Sequence, residues 1–186
     1  MVVLRLKRFT KGMSGDMSRI SVVSVMGWSG SGKTTVVENL IPCLRAKGLR
    51  VGVLKHDGHS FDIDDRRKDS GRFTAAGAEV TAISCSTHAA IMENRPLELS
   101  ELLVRICDVD IILIEGWKGS DLPKIEVHRL GSGKSRYADS KDLIALVTDA
   151  EGLCEEIPVF GLDKYREISE FIYGAYSCGK LDFVLS

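Results

Sequence analysis

The most informative run of residues in this chain is Gly27-Trp28-Ser29-Gly30-Ser31-Gly32-Lys33-Thr34-Thr35. It matches the pattern of a glycine, four residues and Gly-Lys-Ser/Thr at every position. It follows the apolar run of residues 20–26, and aliphatic residues recur after it at helical spacing: Val36, Val37, Leu40, Ile41 and Leu44. The glycines let the backbone turn with its amides inward, and the helix that follows points its positive end at the same place. The sequence therefore predicts a strand, an anion-binding loop and a helix.

The side chains of this loop predict which anion it binds. Lys33 is expected to reach the β- and γ-phosphates of a nucleoside triphosphate, and the Thr34 hydroxyl is expected to ligate Mg²⁺. Both roles require a bound nucleoside triphosphate. We therefore expect the whole loop to bind nucleotide: Gly27, Trp28, Ser29, Gly30, Ser31, Gly32, Lys33, Thr34 and Thr35.

Two acidic residues follow predicted buried strands. Asp57 comes after the valine-rich run of residues 50–55, and Glu115 comes after four consecutive aliphatic residues at 111–114. Because α/β sheets place their ligands beyond the carboxyl ends of parallel strands, both carboxylates are expected near the loop. We predict Thr34, Asp57 and Glu115 as Mg²⁺ ligands. The predicted catalytic residues are Lys33, Asp57 and Glu115, with Glu115 orienting the attacking water.

A third strand-like run, residues 142–147, ends in Thr148 and Asp149. At this position a purine base could be read, since Asp149 could accept hydrogen bonds from the N1 and N2 donors of guanine. Thr148 and Asp149 are therefore predicted contacts of the base.

The composition of the whole chain limits its function. At 186 residues the chain has the length of one domain, and its net charge is -1, so we expect no nucleic-acid or membrane partner. No apolar run approaches the ~20 residues that span a bilayer, and no signal peptide is recognisable. The five cysteines include no Cys-x-x-Cys pair, which predicts reduced, mostly buried thiols. We expect a cytoplasmic protein.

The order of the predicted elements indicates the architecture. Residues 1–19 are expected to be a flexible basic arm, with Met17 as a hypothetical true start, and residues 20–186 the nucleotide-binding domain. Strand-like and helix-like runs alternate within the domain, which predicts a three-layer α/β fold with a mostly parallel central sheet and helices on both faces. The Gly-Ser-Gly-Lys-Ser run at 131–135 lacks the full spacing of a second phosphate loop.

Together these motifs resemble the MobB family of P-loop GTPase-like proteins, the molybdopterin-guanine dinucleotide biosynthesis adapters. Trp117 stands where the family is expected to have phenylalanine, so an aromatic residue is kept. The residues that carry the resemblance lie in family order across 20–165: Gly27 to Thr35, Val51-Gly52-Val53-Leu54-Lys55-His56-Asp57-Gly58-His59, Lys68-Asp69-Ser70, Ala76-Gly77-Ala78, Glu115-Gly116-Trp117-Lys118 and Lys124-Ile125-Glu126-Val127.

This resemblance implies a homodimer that binds GTP with Mg²⁺, hydrolyses it weakly and assists molybdopterin guanylyltransferase, the partner enzyme that attaches GMP to molybdopterin. It also allows a direct contact with molybdopterin. The Asn-Lys-x-Asp motif that reads guanine in many GTPases is absent, which leaves guanine recognition through Asp149 open. Because no arginine finger can be assigned from the sequence, we expect slow intrinsic turnover.

Two alternatives remain at this point. The first is a small-molecule kinase that uses the same loop, with Lys118, Lys124 and Arg129 holding the acceptor. The second is a metal-insertion GTPase that uses His56 and His59, whose side chains resemble part of a transition-metal ligand set.

Overall fold

The computed structural model describes residues 6–8, 19–57, 68–117, 119–137, 141–153 and 155–185. The helices are α1 (Lys33–Arg45), α2 (Asp69–Ala75), α3 (Leu99–Arg105) and α4 (Tyr165–Ser177), and a short 3-10 helix covers Leu130–Ser132. The strands are β1 (Leu6–Arg8), β2 (Arg19–Met26), β3 (Val51–Lys55), β4 (Val80–Ser84), β5 (Ala89–Glu93), β6 (Ile111–Glu115), β7 (Lys124–His128), β8 (Leu143–Thr148), β9 (Val159–Phe160) and β10 (Asp182–Leu185).

The strand that leads into the phosphate loop, β2, lies in the middle of the main sheet. The parallel part of this sheet has the order β3-β6-β2-β7-β8-β9. In this register Val25 of β2 lies opposite Glu115 of β6 and Ile125 of β7. Because the strands are parallel, the segments that follow them meet at one edge of the sheet. The candidate site is built at this edge.

Helices cover both faces of this sheet. Within β6, Ile111 and Leu113 face a cluster that includes α1 and α4, whereas Ile112 and Ile114 face a cluster that includes α3. All four side chains are at most 1% exposed, which explains why the strand is a continuous aliphatic run. The predicted three-layer α/β fold with a mostly parallel sheet is confirmed.

Two strands near the ends of the chain extend the sheet in a way that the sequence patterns did not predict. β10 pairs antiparallel with the first half of β2, and β1 pairs antiparallel with β10. At this junction Asp182 is fully buried, where it accepts a hydrogen bond from the Ser21 hydroxyl and pairs with Arg19. Arg19 and Leu6–Arg8 therefore belong to the sheet, in contrast to the expected arm of residues 1–19. Residues 9–18, with Met17, lie outside the described residues.

The strands β4 and β5 form a separate two-stranded antiparallel sheet, which α2 contacts. Three cysteines, Cys85, Cys107 and Cys178, are exposed, so the expectation of mostly buried thiols is wrong, although the described cysteines are free. Among the described residues, no helix is long and apolar enough to cross a membrane.

Candidate functional site

The backbone of the phosphate loop requires glycine at its first position. Gly27 has a φ of 147°, and a Cβ atom there would lie 2.2 Å from the carbonyl oxygen of Val127 in β7. At the other end of the loop, Gly32 caps α1 in the left-handed conformation, and no acidic residue lies in the first turn of the helix. The amides at the start of α1 therefore face no carboxylate of that turn, which suits an incoming anion.

Two further side chains of the loop have defined positions. Lys33 donates a hydrogen bond from Nζ to the carbonyl oxygen of Trp28 at 2.8 Å, so its ammonium group folds back over the loop. Ser31 is 1% exposed, and its hydroxyl has no hydrogen-bond partner among the described residues. A buried hydroxyl without a partner is costly, and a ligand oxygen would supply one.

The hydroxyl of Thr34 and the carboxylate of Glu115 are in direct contact. Thr34 Oγ1 donates a hydrogen bond to Glu115 Oε1 at 2.8 Å. Glu115 is 8% exposed and lies at the carboxyl end of β6, next to β2. The structure thus brings together two of the three predicted Mg²⁺ ligands, although they are 81 positions apart in the chain.

Asp57 is exposed just beyond β3, the strand next to β6. The preceding residue, His56, donates its amide to the backbone carbonyl of Glu115 at 2.8 Å. Gly116 has a φ of 88°, and a Cβ atom there would lie 2.6 Å from the carbonyl oxygen of His56. The close approach of these two strand ends holds Asp57 on the same side of the loop as Glu115.

The structure bears to different extents on the two alternative functions, metal insertion and a small-molecule kinase. The His56 ring packs against Trp117 with 4.3 Å between the ring centroids, and His59 lies outside the described residues, so metal insertion is not tested. Lys124 is 3% exposed and its ammonium group donates to the backbone carbonyls of Ser120 and Leu122. It is therefore not available to hold a kinase acceptor, and Lys118 lies outside the described residues.

The two predicted base contacts have partners within the protein. Thr148 is 3% exposed, its Oγ1 lies 3.0 Å from Nδ1 of His128, and it accepts the amide of Ala150 at 3.1 Å. Its hydroxyl thus links the ends of β7 and β8, and its contact with a base stays a prediction. Asp149 is exposed, and Oδ1 accepts the amide of Leu130 at 2.7 Å.

The segment after β7 holds the tip of the phosphate loop, which the sequence did not predict. The indole nitrogen of Trp28 donates to the carbonyl of Ser135 at 2.9 Å. The ammonium group of Lys134 lies 4.7 Å from the centre of the indole ring, and the ring of Tyr137 packs against the indole in a T-shaped arrangement with 5.0 Å between centroids. The run at 131–135 is thus not a second phosphate loop, as expected, but part of a support for the first.

Two buried polar residues of β7 hold the segment of residues 134–137 in place. The carboxylate of Glu126 accepts hydrogen bonds from the Tyr137 amide and from Arg136. His128 donates from Nε2 to the carbonyl of Lys134 at 3.1 Å. Buried polar side chains need hydrogen-bond partners. The alternation of Glu126 and His128 with apolar residues in β7 was therefore the sequence pattern from which these contacts could have been predicted.

The sheet topology and the geometry of the loop together indicate the general kind of protein. A parallel α/β sheet with Gly-x4-Gly-Lys-Thr between a central strand and a helix, and a carboxylate at the end of the neighbouring strand, is the arrangement of P-loop nucleotide-binding proteins.

Comparisons with known proteins identify the family. The family model for MobB, molybdopterin guanine dinucleotide synthesis protein B, matches residues 22–149. The molybdopterin-guanine dinucleotide biosynthesis adapter protein of Escherichia coli (strain K12) is 32% identical over 161 residues, which cover 82% of this chain and 91% of that protein. Its namesake from Haemophilus influenzae is 33% identical over 83% of this chain and 89% of that protein.

A solved structure agrees with this result. The crystal structure of Bacillus subtilis MobB matches with a TM-score of 0.69 at 27% identity, over 83% of this chain and 97% of that one. The chain therefore belongs to the MobB family, and the resemblance seen in the sequence is confirmed.

Proposed function

We propose that this chain is a GTP-binding adapter protein that assists the attachment of GMP to molybdopterin in the synthesis of molybdopterin guanine dinucleotide. The observation that carries the proposal is the complete phosphate loop joined to Glu115 through Thr34, in a chain of the MobB family. The partner in this proposal is molybdopterin guanylyltransferase. A direct contact with molybdopterin and a cytoplasmic location stay predictions from the sequence.

Residues at one side of the loop fit Mg²⁺. A threonine hydroxyl and a glutamate carboxylate are hard oxygen donors of the kind that Mg²⁺ takes together with phosphate oxygens. The Thr34 hydroxyl donates a hydrogen bond to Glu115, which leaves the lone pairs of its oxygen for a metal. Asp57 follows β3, which pairs with β6, and is a further carboxylate on this side. When bound, Mg²⁺ would neutralise charge on the phosphates.

The residues of the chain suggest binding with slow hydrolysis. The loop amides and Lys33 would hold the phosphates, while Asp57 or Glu115 would orient a water molecule for attack on the γ-phosphate. Lys33 would exchange the carbonyl of Trp28 for phosphate oxygens when nucleotide binds. For guanine, the proposed reader is the carboxylate of Asp149, through the oxygen that does not accept the Leu130 amide.

An exposed apolar surface supports the proposed homodimer. In the β4–β5 sheet, Val80 and Ile91 lie on the same face and are 55% and 72% exposed. A two-stranded sheet with exposed aliphatic residues on one face gains stability when a partner covers that face. Ile91→Glu should convert a dimer into a monomer in sedimentation velocity, whereas Val104→Glu, at an exposed apolar position of α3, should not. A wild-type monomer, or a dimer that persists with Ile91→Glu, would contradict this interface.

The adapter role is tested by pull-down from the native host. The full chain should recover molybdopterin guanylyltransferase in the presence of GTP and Mg²⁺, with less recovered without nucleotide. The matched variant Lys33→Ala, which removes the phosphate-facing ammonium group, should recover as little with GTP as the wild type does without it. If the guanylyltransferase is absent under every condition, the adapter role is wrong.

A further inference from the structure

The guanidinium group of Arg129 lies beside the phosphate loop. Arg129 follows β7 directly, and a Cβ atom placed on Gly32 would lie 3.6 Å from its Nη2 atom. Gly32 is the N-cap residue of α1 and immediately precedes Lys33. A second positive charge, besides that of Lys33, therefore lies within reach of an anion that the loop holds.

This guanidinium group is exposed and makes no ion pair or hydrogen bond among the residues that the structure describes. Its neighbour in the same segment, Arg136, instead pairs with Glu126 and Glu155. The difference matters because a paired guanidinium would have to leave its carboxylates to meet a ligand. Among the described residues, Arg129 has no such partner to leave.

The backbone of Arg129 is held in place on both sides. Its carbonyl accepts the amide of Ser132 at 3.1 Å and the hydroxyl of the same residue at 2.7 Å. The next amide, that of Leu130, donates to Asp149 at 2.7 Å, and the preceding residue is the buried His128. A side chain on a fixed backbone loses less freedom when it binds a ligand.

The order of the strands decides which side of the loop Arg129 faces. Glu115 comes from β6 and Arg129 follows β7, and these two strands flank β2 on opposite sides. The Thr34–Glu115 pair marks the side that fits Mg²⁺ and the γ-phosphate. Arg129 therefore approaches the phosphates from the other side.

We propose that Arg129 binds the polyphosphate of the nucleotide within the same chain, from the side opposite the Thr34–Glu115 pair, and so holds nucleoside diphosphates and triphosphates alike. The proposal rests on the proposed binding of GTP. It assigns Arg129 to binding of the α- and β-phosphates, not to the acceptor of a transferred phosphate and not to the γ-phosphate.

The test is isothermal titration of the full chain with GDP and with a non-hydrolysable GTP analogue, both with Mg²⁺. Arg129→Ala should weaken both ligands by the same factor, on the order of tenfold for one lost charge-assisted contact. Arg129→Lys, which keeps the charge but not the fork of donors, should lose less. High salt should reduce the difference between the wild type and Arg129→Ala, because salt screens exposed charges.

The control is Arg45→Ala, which removes an exposed arginine at the far end of α1 and should leave both affinities unchanged. Unchanged affinities with Arg129→Ala would overturn the proposal, and a loss for the GTP analogue alone would assign Arg129 to the γ-phosphate and overturn it as well. If the wild type binds neither ligand, the proposed function itself fails. If Arg129→Ala weakens binding by a factor that stays the same at high salt, the role of Arg129 is purely structural, which would count against the proposal.

Discussion

The contact between Thr34 and Glu115 allows a quantitative prediction. The substitution Thr34→Val removes the hydroxyl and keeps a β-branched side chain, while Thr34→Ser keeps the hydroxyl and is the matched control. The lost bond is 2.8 Å long and ends on a carboxylate that is 8% exposed. Hydrogen bonds to charged groups contribute about 1.5–3 kcal/mol. Because Thr34 itself is exposed and water can replace its hydroxyl, we expect a loss of about 1 kcal/mol.

Two measurements check this expectation. Urea unfolding without Mg²⁺ and without nucleotide should show a lower free energy of unfolding for Thr34→Val than for the wild type, and Thr34→Ser should lie near the wild type. In GTP titrations the gain in affinity from Mg²⁺, measured against EDTA, should disappear with Thr34→Val and persist with Thr34→Ser. The reasoning is refuted if Thr34→Val unfolds like the wild type and keeps the full Mg²⁺ effect.

Further predictions concern the loop, a thiol and an ion pair. Gly27→Ala should lower the free energy of unfolding by ~3 kcal/mol in urea because its Cβ atom would overlap a carbonyl of β7. Gly30→Ala should cost less, because its Cβ atom would meet no atom of the described residues within 4 Å. The hydrogen bond between Cys85 and Thr87 lowers the pKa of this thiol to about 7, so its alkylation rate should rise through pH 7, and Thr87→Val should move that rise to higher pH. The guanidinium group of Arg50 lies 3.0 Å from the carboxylate of Asp110, and its hydrogen bond lowers the pKa of this carboxyl. The stability that the pair contributes is therefore present above the unfolded pKa of about 4 and is lost as the pH falls through the folded value. In urea unfolding, Asp110→Asn should therefore be less stable than the wild type at pH 7, and the difference should shrink under acid conditions.

The central strands could be predicted because their burial is visible in the sequence. The strand from Ile111 to Ile114 has aliphatic side chains on both of its faces, as expected for a strand that is covered on both sides. The terminal strands gave no comparable signal. β1 and β10 have three and four residues, and β10 is held through the contacts of the buried Asp182 with Ser21 and Arg19, partners on a distant part of the chain.

The features of the candidate site could likewise be predicted only in part from the sequence. The edge position of Glu115 could be predicted because it directly follows a buried strand, and the structure places it against Thr34. The contact between Thr148 and His128 could not be predicted, because these side chains meet only when β7 and β8 are neighbours. The support of Trp28 by Ser135 likewise joins positions 107 residues apart.

The phosphate loop shows what the sequence alone determined. The residues from Gly27 to Thr35 act through their own backbone and through the adjacent strand and helix, so their local order is enough to predict an anion site. The tertiary structure alone decided which strands flank the loop, and therefore that Glu115 stands on one side and Arg129 on the other. The hydrophobic pattern of a strand determines which of its faces are buried, whereas its neighbours in the sheet depend on how all the elements pack together.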